Sequence, residues 1–259
     1  MPYSCEKNIP QNINNQLQSL YRVFHGNEWA TNYINTHKFR CYDDYINIQK
    51  IAQGGKVLNV GGAPYIFETF FMEGDQSITS LDLDPDRHLL QIQKMNFNIL
   101  KCDIECADSR KTLALSGYDV ICLCEVFEHM RIDLISLVRF LYNNMDQGSY
   151  LYMTTPNYFF ARTFIRRILS GRSGPSLVKE WSKLTDIGHM GHVREYSQKD
   201  LTELFLFVGF KLHDIRLRNR SVKITKGKGF KSLLFSTFCK SLSTSFDFFG
   251  EEFVFVFKK

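Results

Sequence analysis

Residues 124–133 read CEVFEHMRID. Glu125, Glu128 and His129 stand at i, i+3 and i+4, so one helical turn would place two carboxylates and an imidazole on one face. Two chemistries fit such a group. One is a divalent-cation site, oxygen-rich and therefore suited to Mg²⁺ or Mn²⁺. The other is proton abstraction by a neutral histidine. A further ligand or base is available downstream in DIGHMGHVREYS, which supplies His189 and His192. A plainer reading stays open as well. Glutamates near a helix start favour the helix dipole, and a histidine there can simply hydrogen-bond a neighbour.

Other chemistry-bearing residues follow short apolar runs. KVLNV (56–60) runs into Gly61 and Gly62, a tight turn that allows close backbone approach, with a helix starting near Pro64. SITSLDL (77–83) carries Asp82, and FNILKCD (97–103) ends on Asp103. A glycine turn followed by acids at two successive strand ends describes a nucleoside-binding edge.

The elements that must hold these residues are legible as an alternation. The runs above, with YDVICLC (118–124) and SYLYMTT (149–155), read as strands. PYIFETFFMEG, DRHLLQIQKM and DLISLVRFLYNNM between them read as helices, the last with Leu134, Leu137, Val138 and Leu141 on one face. KDLTELFLFVGFKLHDIRL adds a helix and a strand, and EEFVFVF a final strand. This predicts an α/β fold: a doubly wound, mostly parallel, seven-stranded sheet whose last strand is antiparallel. Residues 1–50 are expected to be an N-terminal helical segment. Residues 51–259 form the main domain, with a helical cap inserted at about 157–195.

The glycine turn and its two acids resemble the class I S-adenosylmethionine-dependent methyltransferases, from about residue 50 to the end of the chain. The family's motif of acid-x-Gly-x-Gly-x-Gly reads Asn59-Val60-Gly61-Gly62-Ala63-Pro64-Tyr65 here. Asn59, Ala63 and Tyr65 thus stand where an acid and two glycines are usual. The resemblance implies S-adenosyl-L-methionine as cofactor, with Asp82 on the ribose and Asp103 on the adenine side. Asn59, Gly61, Gly62, Ala63, Leu83, Ile104 and Cys124 complete the implied cofactor-binding set.

Three segments, YDVICLCEVFEHMRID, YLYMTTPN and GHVREYSQKDLTELFLFVGF, are similar to a bacterial subgroup found among surface-polysaccharide and glycolipid biosynthesis genes. That likeness implies O-methylation of a sugar hydroxyl on a glycan or glycolipid precursor, with His129, His192 and Glu125 as catalytic candidates. The Glu-x-x-Glu-His element also resembles that of the 2′-O-methyltransferases that act on the 3′ end of small silencing RNAs, where it binds a metal. Glu125, Glu128, His129 and His192 are the matching metal-ligand positions. An RNA ribose 2′-O-methyltransferase and a non-catalytic binding protein of the same fold are the alternatives. The absence of a separate RNA-binding module makes nucleic acid the lesser expectation.

Composition narrows the setting. The 259 residues are 44% hydrophobic and 23% charged, with a net charge of +5, as in an ordinary globular protein. No apolar run reaches the ~18 residues of a membrane span. The first residues lack the apolar core of a secretory signal. Seven cysteines without a CxxC pair argue against a disulfide framework. The expectation is a cytoplasmic protein. RLRNRSVKITKGKGFK (216–231), with seven basic residues and no acid, suggests contact with phosphates or an anionic face of the inner membrane. Tyr158, Phe159, Phe160 and Phe164 beside Arg162, Arg166 and Arg167 suggest a lid with stacking surfaces, or a packed helix with a solvated basic face.

Overall fold

The computed structural model describes residues 3–4, 8–72, 77–95, 97–172, 176, 178, 181–183, 191–219, 241 and 249–259. Five strands run parallel: β2 (Val57–Val60), β3 (Ile78–Asp82), β4 (Asn98–Lys101), β5 (Val120–Cys124) and β6 (Tyr150–Pro156). β7 (Lys211–Asn219) joins through β8 (Glu252–Lys258), which is antiparallel to both β6 and β7. The order β7-β8-β6-β5-β2-β3-β4 is the doubly wound sheet with a last antiparallel strand that the sequence pattern predicts. A two-residue strand, β1 (Tyr3–Ser4), adds an eighth member beside β7.

The central strands are apolar because they are covered on both faces. β2 and the first four residues of β5 are buried throughout. The order reverses between β2 and β5, and there the carboxyl ends of adjacent strands open a crevice. α3 (Ile66–Thr69), α4 (Leu89–Met95), α5 (Ala107–Lys111) and α6 (Leu134–Asn144) connect the parallel strands. Leu137, Val138 and Leu141 of α6 are fully buried, as their spacing requires.

The N-terminal segment is helical: α1 (Gln11–Val23), then α2 (Glu28–Ala52), whose first turn is capped by the Asn27 side chain accepting from the Ala30 amide at 3.0 Å. α2 is tied to the sheet by a buried ion cluster. Arg218 on β7 is fully buried and donates to Asp43 at 2.6 Å and to Asp44 at 2.7 Å, and it also pairs with Glu252 of β8. Tyr152 of β6 donates to Asp44 at 2.7 Å. This corrects one expectation. Arg218 serves the interior, and Arg216 lies on β7 and pairs with Asp214 at 2.9 Å, so neither belongs to a basic loop. The other five basic residues of that stretch, Arg220 to Lys231, lie outside the described residues.

Within residues 157–195, α7 (Ala161–Ser170) ends on Gly171 in the left-handed region, φ 63°. Among the described residues, no helix is long and apolar enough to cross a membrane.

Candidate active site

At the end of β2, Gly61 takes φ +77°, and a Cβ there would sit 2.8 Å from Val126 Cγ2. A Cβ on Gly62 would lie 2.2 Å from Glu68 Oε1 and 2.4 Å from Ser80 Oγ. Both positions therefore require glycine, one for its dihedral and both for space. Asn59 donates to Glu68 Oε1 at 2.7 Å, and Ser80 donates to the same oxygen. Position 59 carries no charge, but a carboxyl group sits beside it, delivered by α3. Burial pushes that Glu68 carboxyl up to about 7, with the Ser80 and Asn59 hydrogen bonds opposing.

Asp82 ends β3 and Asp103 follows β4, side by side because β3 and β4 are paired in register. Each turns one oxygen inward to its own loop: Asp84 N donates to Asp82 Oδ1 and Glu105 N to Asp103 Oδ1, both at 2.9 Å. Tyr65 donates to the other oxygen of Asp82 at 3.4 Å, so a ribose would share that carboxylate with Tyr65. Leu83 is exposed, Ile104 is buried, and Cys124 and Ala63 are partly buried at the edge.

A residue that the motifs did not indicate completes this edge. Arg40 of α2 is only 5% exposed, and its Nε and Nη1 lack a hydrogen-bond partner among the described residues. It lines a small cavity of about 30 Å³ together with Asn59, Gly61, Gly62 and Cys124. Burial works against its charge, but nearby Glu125 outweighs that. A larger cavity of about 650 Å³, along β3 and β4, contains none of the expected site residues.

The CEVFEH stretch departs from one helical turn. Glu125 adopts φ +58°, and a 3₁₀ turn covers only Phe127–His129. Glu125 is thereby directed to Arg40, with Oε2 3.5 Å from Nη1. The expected four-residue group becomes a group of three. Ligand atoms of Glu128, His129 and His192 lie within 4.8 Å of one another, and Glu125 is not among them. His189 lies outside the described residues.

Glu128 is fully buried. Its Oε2 accepts from Thr155 at 3.0 Å, while its Oε1 has no hydrogen-bond partner among the described residues. Facing Oε1 are His192 Nε2 at 3.9 Å and His129 Nε2 at 4.0 Å. Burial first, then the Glu125 charge, pushes the Glu128 carboxyl up to about 8. His192 is also raised: burial opposes its charge, but the hydrogen bond to Glu195 and the charge of Glu128 prevail. Each shift belongs to its own group, and at 3.9 Å the two are not hydrogen-bonded to each other. The Val193 and Arg194 amides donate to the Glu128 carbonyl at 2.8 and 3.2 Å, which docks residues 191–195 onto the end of β5.

The glycine turn, the two strand-end acids and the strand order invite comparison with known folds. A family model described as a methyltransferase domain matches residues 35–215. The chain belongs to the methyltransferase-domain family. Solved structures agree on the fold. A SAM-dependent methyltransferase from Archaeoglobus fulgidus has a TM-score of 0.53 at 15% identity, covering 88% of this chain and 99% of that one. One from Mesorhizobium loti has a TM-score of 0.52 at 10% identity, covering 84% and 97%. One from Thermotoga maritima has a TM-score of 0.54 at 13% identity, covering 93% and 99%. No curated protein matches the sequence.

The family implies S-adenosylmethionine, and the residues present fit it. Glycines that admit no Cβ leave backbone exposed at the turn, Asp82 and Asp103 stand at adjacent strand ends, and Arg40 offers a buried cation whose Nε makes no hydrogen bond among the described residues.

Proposed function

We propose that this methyltransferase-family chain is an S-adenosylmethionine-dependent O-methyltransferase acting on a sugar hydroxyl of a glycan or glycolipid precursor. The observation that carries the reading is the convergence of two imidazole Nε2 atoms on the buried carboxyl of Glu128. Bound S-adenosylmethionine supplies an activated methyl group. Asp82 holds the ribose hydroxyls, Asp103 the adenine side, and Arg40 the carboxylate of the methionine half, a charge-assisted contact suited to guanidinium. A sugar hydroxyl is a weak nucleophile at neutral pH, so O-methylation gains from a base beside it. His192 Nε2 takes the hydroxyl proton, and Glu128 in its ionised form stabilises the imidazolium that results. Carbon or sulfur acceptors would need this group less.

A second version keeps the residues and adds a cation. Glu128, His129 and His192 offer one oxygen and two nitrogens. With Glu125 engaged by Arg40, the set is richer in nitrogen than the sequence suggests, which favours Mn²⁺ over Mg²⁺. It is also the part that the RNA 2′-O-methyltransferase reading shares, with one of its four matching residues turned away.

The test offers labelled S-adenosylmethionine with three acceptor sets: free sugars, lipid-linked glycan precursors and short RNAs. Label on the sugar sets is expected, unaffected by EDTA if His192 acts as base and abolished by it if a cation does. Label on RNA alone selects the ribose alternative. Label on none, in a protein that binds the donor, overturns the glycan reading.

A further inference from the structure

His192 is held from behind as well as faced from the front. Its Nδ1 lies 3.1 Å from Glu195 Oε1, and Arg167 of α7 donates to Glu195 Oε2. Arg167 also donates to the Tyr158 carbonyl, and its guanidinium lies over the Tyr158 ring, 4.4 Å from the centroid. The Glu195 and Arg167 side chains are each only 11% exposed. Arg167 is therefore part of a closed chain of contacts and does not lie on a solvated basic face.

We propose that Glu195 is the positioning residue for His192: gripped by Arg167, it fixes the imidazole with its proton on Nδ1 and Nε2 bare, aimed at Glu128 and the acceptor. This rests on the methyl-transfer reading only for its purpose, since the geometry stands alone. An ionised carboxylate only accepts, so the ring atom facing it must donate. Arginine only donates, so it fixes Glu195 as the acceptor. The Arg167 guanidinium on the other carboxylate oxygen favours the ionised form of Glu195. A partner on the far nitrogen sets both tautomer and ring direction. The same arrangement serves proton abstraction and cation binding, because each needs a lone pair on Nε2.

The contact also joins two distant pieces of chain. α7 carries Arg167, the segment before the last helix carries Glu195 and His192, and Tyr158 N donates to the Tyr196 carbonyl at 3.1 Å. A shift of α7 on acceptor binding would thus reach His192 through two side chains.

Glu195→Gln gives a sharp test. Arg167 can only donate, so the amide oxygen must stay with it and the NH₂ must face Nδ1. Nδ1 then has to accept, and the proton moves to Nε2. In Arg167→Met/Glu195→Gln the amide is free to rotate, and the Nδ1 proton is expected to return. The measurement is a long-range ¹H–¹⁵N spectrum of histidine-labelled full-length protein, in EDTA, at a pH where the ring is neutral. His192 is assigned with His192→Gln, and a cooperative thermal unfolding transition without ligand serves as the folding control. The expected result is Nδ1–H in the wild type, Nε2–H in Glu195→Gln and Nδ1–H again in the double variant. Nε2–H in the wild type, or Nδ1–H retained in folded Glu195→Gln, overturns the proposal. The wild-type spectrum decides even if the variant does not fold. Failure of the folded wild type to bind S-adenosylhomocysteine would instead defeat the methyl-transfer reading and leave the tautomer result intact.

Discussion

The two strand-end acids and the cluster of Glu128, His129 and His192 lie at the carboxyl ends of one parallel sheet, yet they are built differently. Asp82 ends β3 and Asp103 lies two residues past β4, so the β3–β4 register, in which Asp82 faces Lys101, brings them to one edge. Glu128, His129 and His192 come from segments about sixty residues apart, joined by the Glu128 carbonyl accepting two amides and by His129 Nδ1 at 3.0 Å from the Gly191 carbonyl. Strand geometry makes the first half rigid by construction. The second depends on loop contacts and on charges buried with few partners. The difference predicts that variants at the donor edge should weaken binding by modest, separable amounts. Variants in the cluster should spare donor binding and act on transfer.

The largest expected effect is on the cluster. Glu128→Ala removes the carboxyl on which both imidazoles converge, and methyl transfer should fall by about 10²–10⁴-fold, the usual span for a lost acid–base group. S-adenosylhomocysteine affinity should stay within about threefold, well under the ~1.4 kcal/mol of a tenfold change. An equal loss in binding and transfer would erase the contrast between the halves.

Next comes the cluster that anchors α2. Arg218→Met strands Asp43, Asp44 and Glu252 without their shared cation, at a cost of about 3–5 kcal/mol in urea unfolding. Because α2 also carries Arg40, donor affinity should fall with stability in this variant. A loss below 1 kcal/mol, well short of that ~3–5 kcal/mol span, would show that the three acids are relieved in another way.

Smaller effects are expected at the donor edge itself. Arg40→Ala and Asp82→Ala should each weaken S-adenosylhomocysteine binding by about 1–3 kcal/mol, the range for leaving a buried polar partner unmade. Truncating the ligand should separate them: Arg40→Ala should lose little for 5′-methylthioadenosine, which lacks the methionine carboxylate. An equal loss for both ligands would move Arg40 out of that role.

The smallest effect is a slope. Glu68 titrates near 7 when folded and in the ordinary carboxylate range when unfolded. The folded state therefore holds the extra proton between these values, and stability should fall as pH rises through about 5–7, by roughly 1 kcal/mol per pH unit. Glu68→Gln should remove that share of the slope and leave the share of the same sign that Glu128 contributes, as read from urea midpoints. An unchanged slope would place the titration elsewhere.

How much was legible in the sequence follows the same division. Period and punctuation sufficed for the strands from KVLNV to EEFVFVF, because parallel strands buried on both faces are apolar runs bounded by turn residues. The strand-end acids followed from register. Glu125 was misplaced for a local reason. Spacing of i, i+3 and i+4 converges only in a helix, and a left-handed residue at 125 with a 3₁₀ turn behind it redirects that side chain to α2. Arg40 could not be found by motif, since its role depends on a helix laid across the sheet. Glu195 left a signal, three residues after His192 within GHVREYS, but spacing alone does not say which of its neighbours it grips. Arg218 looked like one of seven surface charges because its partners lie about 175 residues earlier, on α2, and on the last strand.

The most direct measurement of the central claim is a calorimetric titration of the full chain with S-adenosylhomocysteine. A single site is expected, with a dissociation constant of roughly 1 µM to 1 mM, as for enzyme substrates generally, weakened in Asp82→Ala and Arg40→Ala and unchanged in Glu128→Ala. A folded wild-type chain that releases no binding heat at any temperature tried, and shows no shift in thermal midpoint with ligand, would contradict the account.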